Sequence, residues 1–393
     1  MASSLPRLTA AQTAARLGVK PETVYAYVSR GLLRRERDPR GSTFDALEVE
    51  AFAVNRRRSA SPTSAHPTTG MPLGVIRTDI ADIEDGELLY RGRRARDLMT
   101  QPFAEVASWL WDAARIDAPD TAIGSARAMV EALPPLAGPM DRLRAALTGF
   151  AADDPLRHNA SLPTLHRIGW TLLTGLPVAL GGDPDDDIAR SLVSTWGVRT
   201  DAATAEAVNA ALVLTIDHDL AVSTFAARIA ASARADGYVA IAAALGAADS
   251  PLHVSAAART ARLLSRVRRG MEPERALGEA VHEGNGIPGF GHPLYDGVDD
   301  RADALLPYVE RMPDGERTMD AVRRLSDAVA HRTSSRPNID LALAAMASAA
   351  RLPEDAASTI FVVGRLAGWV AHIAAEYAEP AMRLRPRGEY VGP

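Results

Sequence analysis

The chain has 393 residues, 47% hydrophobic and 24% charged, enough apolar material for two or three domains with a sizeable core. It contains no cysteine, which excludes disulfides, thiolate zinc sites, iron–sulfur clusters and a cysteine nucleophile. The net charge of −5 is uneven: residues 1–58 hold eleven Lys and Arg against six Asp and Glu, a basic head on an acidic body that hints at nucleic acid as the head's partner.

The head reads as two short helices. Thr9 is placed to cap Ala10–Leu17 and Gly18 to end it. Pro21 suits a first helical turn, and Glu22–Ser29 continues the second helix. Ala14, Leu17, Val19, Val24 and Val28 supply the apolar contacts between the two. The following run, RGLLRRERDPRGSTF, has turn residues at Asp38–Gly41 and predicts a small basic wing. The segment LTAAQTAARLGVKPETVYAYVSRGLL resembles the helix-turn-helix of the MerR and excisionase-like families. That resemblance implies a DNA-binding domain over 1–55, with Thr23, Tyr25, Arg30 and Arg34 facing the duplex and Arg35, Arg37 and Arg40 near its phosphates. The plainer alternative is a helical hairpin for protein contact, its arginines merely solvated.

Residues 56–70, RRRSASPTSAHPTTG, have linker composition and no apolar period. In GVIRTDIADIEDGELLYRG apolar and polar residues alternate about Asp85–Gly86, a β-hairpin signal. From Ala95 onward the chain reads as mostly helical, and its many alanines favour close helix packing. The apolar stretch Thr359–Ala378 could span a membrane by length, but Arg365, His372 and Glu376 make it a buried helix of a soluble protein. The first thirty residues lack a secretory pattern, so a cytoplasmic location is expected.

Four polar segments stand in apolar surroundings: TIDHDLAVSTFAAR with His218 and Ser223, DSPLHVSAAAR with His253, GNGIPGFGHPLYDGVDDRA with His292 and Arg301, and a closing group with Asp340, Arg365 and Arg385. Each residue alone has an ordinary reading: a core histidine, a helix cap, a surface ion pair. Together, three histidines, one carboxylate and three arginines beside glycine, proline or other small residues describe a ligand site. Gly284, Gly286 and Gly289 spell GxGxxG, but a helix precedes them and Pro288 interrupts, so no dinucleotide fold is implied. No metal or nucleotide-phosphate signature is present, and nothing in the spacing of the histidines demands a metal.

From Gly74 onward the co-ordered motifs LLYRG, DHD, PLH, GFGH followed by DR, PNID, GRLAGW with His372, and the closing RP…Y-G resemble the citrate synthase family. The resemblance implies an all-α, mainly helical fold with one short hairpin, a large domain over 71–250 and 351–393, and a small domain over 251–350. It implies condensation of acetyl-CoA or propionyl-CoA with oxaloacetate by a homodimer, with no metal and no cofactor beyond the CoA thioester substrate. Asp340 is then the base at the acyl α-carbon, and His253, oriented by Ser223, donates to the thioester oxygen. His292 polarises the ketone. His218, Arg301, Arg365 and Arg385 hold the carboxylates, Arg385 reaching over from the partner subunit. Gly289, Phe290 and Gly291 lie against CoA. The chain departs from the family's pattern at Val254, Ser255, Ala256, Ala257, Ala221, Pro293 and Asp300. These changes spare the named catalytic residue types but alter their surroundings, and the fusion to the head motivates the alternative of a catalytically degenerate sensor of acyl-CoA or oxo-acid that regulates through DNA.

Overall fold

A computed structural model describes residues 6–38, 41–59, 75–250, 254–283, 286–295, 297–386 and 389–392. The head comprises β1 (Arg7–Thr9), α1 (Ala10–Leu17), α2 (Pro21–Ser29), β2 (Glu36–Asp38), β3 (Gly41–Asp45) and α3 (Ala46–Ser59). Thr9 and Gln12 form a reciprocal capping box at the start of α1, and Gly18 closes it in the left-handed region at φ +62°. β3 lies between β1 and β2, all antiparallel, so the wing is part of a three-stranded sheet. Two elements were not legible in the sequence: β1, only three residues long, and α3, which runs through Arg56 to Ser59, into the segment whose composition reads as linker.

The hairpin forms where alternation places it, with β4 (Ala81–Glu84) and β5 (Glu87–Tyr90) joined by Asp85 and Gly86, both at positive φ, and β6 (Arg93–Arg94) added outside. Helices make up the rest of the body. The first group is α4 (Ala95–Leu98), α5 (Phe103–Trp111), α6 (Asp120–Glu131), α7 (Pro139–Asp153) and α8 (Leu162–Ala179). Next come α9 (Ile188–Ser194), α10 (Ala202–Leu214), α11 (Val222–Ser232) and α12 (Gly237–Ala248). The last six are α13 (Ser255–Arg268), α14 (Pro273–Glu283), α15 (Asp300–Glu310), α16 (Gly315–Ala330), α17 (Ile339–Ala349) and α18 (Ala356–Tyr377). Several start on a side chain that accepts from an otherwise unpaired backbone N–H: Ser161, Asp187, Asp201, Asp236 and Asn338.

Two helices organise this body. α18 packs against α5, α7, α8, α10, α11, α12, α13 and α17, while α17 is surrounded by α13, α15, α16 and α18. The apolar window of α18 is wholly buried, so its length reflects a core position. Two glycines set how closely α18 approaches the end of α10. A Cβ on Gly364 would lie 2.2 Å from Thr215 Oγ1, and one on Gly368 would lie 2.0 Å from the Ile216 carbonyl oxygen. That approach brings Arg365 against residues 215–217. Because the obstacle at Gly368 is backbone, Gly368→Ala is expected to destabilise the fold by about 1–3 kcal/mol through overpacking. A urea melt with an unchanged midpoint would refute the close approach.

Candidate active site

The candidate site draws on the α10–α11 turn, residues 286–295, Asp299 and Arg301, the start of α17 and the middle of α18. The loop is tied to the approach of α17 by backbone. Gly291 N–H donates to the Arg336 carbonyl at 2.8 Å, Asn338 N–H to the Gly289 carbonyl at 3.0 Å, and Phe290 bridges Pro337. The Asn338 side chain caps α17 through the N–H groups of Asp340 and Leu341, and its amide donates to the Gly291 carbonyl. His292 and Asp340 are thereby fixed to one rigid junction. Gly289 adopts φ +80°, and a Cβ there would meet Thr260 Cγ2 at 2.5 Å, so a side chain is excluded twice over.

His218 and His292 meet edge to face with ring centroids 4.7 Å apart, and Tyr295 completes the cluster through its hydroxyl, 3.0 Å from His218 Nε2. The Leu294 N–H donates to His292 Nδ1 at 3.2 Å. A neutral His292 therefore carries its proton on Nε2 and offers a donor to a ligand. Burial, reinforced by the charge of Arg301, lowers the His292 pKa to about 4 and that of His218 well below the ordinary imidazole value. Both rings are neutral at pH 7.

Arg301 is 2% exposed and its fork already engages Asp299, with Nε to Oδ1 at 2.9 Å and Nη2 to Oδ2 at 2.8 Å. One edge of the guanidinium is thus occupied by Asp299, and the group also lies against the Tyr295 ring, 6.0 Å from its centroid. Burial opposes both charges. Asp299 nevertheless holds the Arg301 pKa above its usual value, and Arg301 holds Asp299 below the usual carboxylate range. Asp299 also accepts from the Ile339 N–H at 3.0 Å.

Arg365 is 1% exposed. Its Nε donates to the Thr215 carbonyl at 2.8 Å, whereas Nη1 is buried with no hydrogen-bond partner among the described residues. Asp217 Oδ1, equally unpartnered, stands 3.9 Å from it, within ion-pair range but too far for a hydrogen bond. Burial and the charge of Arg301 lower the Arg365 pKa despite Asp217. Asp340, half-buried, has its pKa raised to about 6 by burial, with Arg301 opposing and Asp299 assisting. Arg301 thus acts electrically on His218, His292, Asp340 and Arg365 alike.

The other expected residues fall differently. His253 lies outside the described residues; Ser223 is buried in the first turn of α11. Arg385 is exposed on the segment after α18, which Met382 and Leu384 pin to Ser232 through their N–H groups. Val254, one of the departures from the family's pattern, is the N-cap of α13 with a right-handed backbone and is 3% exposed. Asp300, which stands where a proline was expected, accepts from the Leu88 N–H at 3.2 Å and pairs with Arg96 at 3.1 Å, anchoring the hairpin. Tyr90 of the LLYRG motif is a second anchor, its hydroxyl donating to the Val213 carbonyl.

A buried polar chain escaped the sequence reading. Asp217 Oδ2 accepts from His372 Nε2 at 2.7 Å, Arg228 donates to His372 Nδ1, and Arg228 and Arg383 both pair with Glu376. The signal was present: Arg365, His372 and Glu376 repeat at seven and four residues, one face of a helix.

The chain matches the family model "Citrate synthase, C-terminal domain" over residues 70–387. It is 28% identical to 2-methylcitrate synthase 2 of Corynebacterium glutamicum over 348 residues, covering 79% of this chain and 90% of that protein. It is also 28% identical to a citrate synthase of Mycolicibacterium smegmatis, again over 79% and 90% of the two chains. Among solved structures it resembles the citrate synthase of Thermoplasma acidophilum in ternary complex with carboxymethyl coenzyme A and oxaloacetate, with TM-score 0.68, 23% identity and 81% and 94% coverage. Replacing Arg365 by Lys removes Nε and the unpaired Nη1 together and substitutes a point charge for a fork. Calorimetric titration with a small oxo-dicarboxylate should show binding weakened about ten- to a hundredfold. An affinity equal to the parent's would remove Arg365 from the site.

Proposed function

This chain belongs to the citrate synthase family, and on that footing we propose that it condenses acetyl-CoA or propionyl-CoA with oxaloacetate to give citrate or 2-methylcitrate and CoA. The observation that carries the reading is the buried, unpartnered Nη1 of Arg365. A buried donor of this kind is costly unless a ligand acceptor completes it, and a substrate carboxylate is such an acceptor.

The chemistry then follows from the neighbouring groups. Asp340, as carboxylate, takes a proton from the acyl α-carbon, and its raised pKa makes it a stronger base than an ordinary aspartate. His253 donates to the thioester oxygen as the enol forms, held by Ser223. The α-carbon bonds to the ketone carbon of oxaloacetate while the Nε2 proton of His292 steadies the developing alkoxide; a neutral imidazole spares the site a further cation. Water then cleaves the thioester, and CoA leaves with a proton. The sequence is redox-neutral and needs no cofactor. His218, Arg301, Arg365 and Arg385 of the partner subunit hold the carboxylates in a homodimer, and Gly289, Phe290 and Gly291 lie against CoA. Residues 251–350 form the small domain closing over 71–250 and 351–393, which excludes water until condensation. The curated relatives are named as synthases, and nothing in them favours a degenerate sensor.

Free thiol should therefore appear from acetyl-CoA or propionyl-CoA only when oxaloacetate is present. The rate should rise as pH passes upward through about 6, because Asp340 must be ionised to act as base. Asp340→Ala should lower kcat by about 10²–10⁴-fold and leave oxaloacetate affinity intact. Absence of oxaloacetate-dependent thiol release across this pH range would sink the proposal.

We further propose that the head, in a cytoplasmic setting, binds DNA. It meets the body through α3 and β1, which rest on α14, and this docking leaves Tyr25 at 41% exposure, Arg30 and Arg34 exposed and Thr23 half-buried. Such a face suits a helix entering a groove, with arginines at its rim. Fluorescence anisotropy on duplex DNA should show binding that weakens as salt rises from low to physiological concentration. No binding even at low salt would refute it.

A further inference from the structure

Four arginines, Arg259, Arg262, Arg266 and Arg269, stand three or four residues apart along α13 and so form one stripe. The two nearer the end of the helix have acidic partners: Arg266 pairs with Glu279 and Glu283, and Arg269 with Glu354. Arg259 and Arg262 form no ion pair among the described residues, and Arg259 Nη2 is a buried donor without a hydrogen-bond partner. Both line a cavity of about 260 Å³ together with Leu263, Arg266, Ala280, Glu283 and Pro288. Glu283, the one acid in that lining, is already held by Arg266 at 2.8 Å.

The cavity adjoins the loop of the active cleft. Thr260, the neighbour of Arg259, is the residue on which Gly289 rests, and Pro288 closes the cavity wall. Four residues after Pro288 the same loop presents His292. A four-residue span reaches about 13 Å, so a ligand lying along it can touch His292 with one end and the arginines with the other. Two adjacent cations, one half-buried and bearing an orphaned donor, suit a multiply charged anion with several acceptor oxygens. From this we infer that Arg259 and Arg262 bind the phosphates at the nucleotide end of the acyl-CoA. The inference rests on the acyl-CoA reading above and adds to it the groups that grip the donor far from its reacting carbon. Burial, together with the like charge of Arg262, lowers the Arg259 pKa, as expected of a site tuned to receive an anion.

The test is equilibrium binding of CoA, dephospho-CoA and pantetheine by calorimetry, using the full chain, Arg262→Gln, and the double variant Arg259→Gln/Arg262→Gln. The parent should prefer CoA to pantetheine. The double variant should lose about ten- to a hundredfold in CoA affinity, and its preference over pantetheine should collapse accordingly. Arg262→Gln, a change at an exposed side chain, should show a smaller loss and guards against misfolding of the double variant. Collapse of the CoA to dephospho-CoA ratio assigns the ribose phosphate, and collapse of the dephospho-CoA to pantetheine ratio assigns the diphosphate. If the variants keep both ratios of the parent, the inference is overturned while the acyl-CoA reading stands. If the parent binds none of the three, both fall.

Discussion

The carboxylate of Asp299 is the joint on which the cleft depends. It holds the Arg301 fork with one face of its oxygens and the first turn of α17 with another, through the Ile339 N–H. Without that anion a guanidinium 2% exposed would be an uncompensated charge, and removing one partner of such a pair costs about 3–5 kcal/mol. With it, Arg301 keeps its charge in the interior and its field reaches the rest of the site. That field helps keep His218 and His292 neutral and partly offsets the burial that raises Asp340. Burial sets the larger part of each of these shifts, and the position of this one ion pair tunes all of them.

A second ion system runs behind the first. α18 carries Arg365, His372 and Glu376 on one face, each wholly or almost wholly buried. Buried charges in series are tolerated when every member is satisfied. Here Glu376 accepts from Arg228 and Arg383, and His372 passes from Arg228 to Asp217 with both ring nitrogens engaged. The chain ends at Asp217 Oδ1 and Arg365 Nη1, 3.9 Å apart, neither with a hydrogen-bond partner among the described residues. Gly364 and Gly368 make this possible by letting α18 come down onto the carbonyls of residues 212–216.

What could be read from the sequence was what a few neighbouring residues encode. The Thr9 cap, the Gly18 stop and the Asp85–Gly86 turn need no more than four residues of context and formed as expected. The all-α body and its buried late helix were legible from alanine content and from charges set in an apolar run. The partners were not. Arg228 and Glu376 are 148 residues apart, and Asp217 and His372 are 155 apart. Periodicity identifies the face a side chain occupies but not its counter-ion.

The head belongs to the same mechanical unit as the loop. Arg16 and Glu50 form a bidentate pair linking α1 to α3, and a Cβ on Gly286 would stand 3.4 Å from Arg16 Nη2. Pro6 lies so close to Gly278 of α14 that a Cβ there would approach it to 2.9 Å, and Arg332 reaches Asp45 at 3.9 Å. Packed contacts of this kind do not deform continuously. A rearrangement at Gly286 must either carry the Arg16–Glu50 pair with it or be resisted by it, and Gly286 lies three residues before Gly289. The head is therefore braced at Gly286 against the segment that leads to Gly289 and His292.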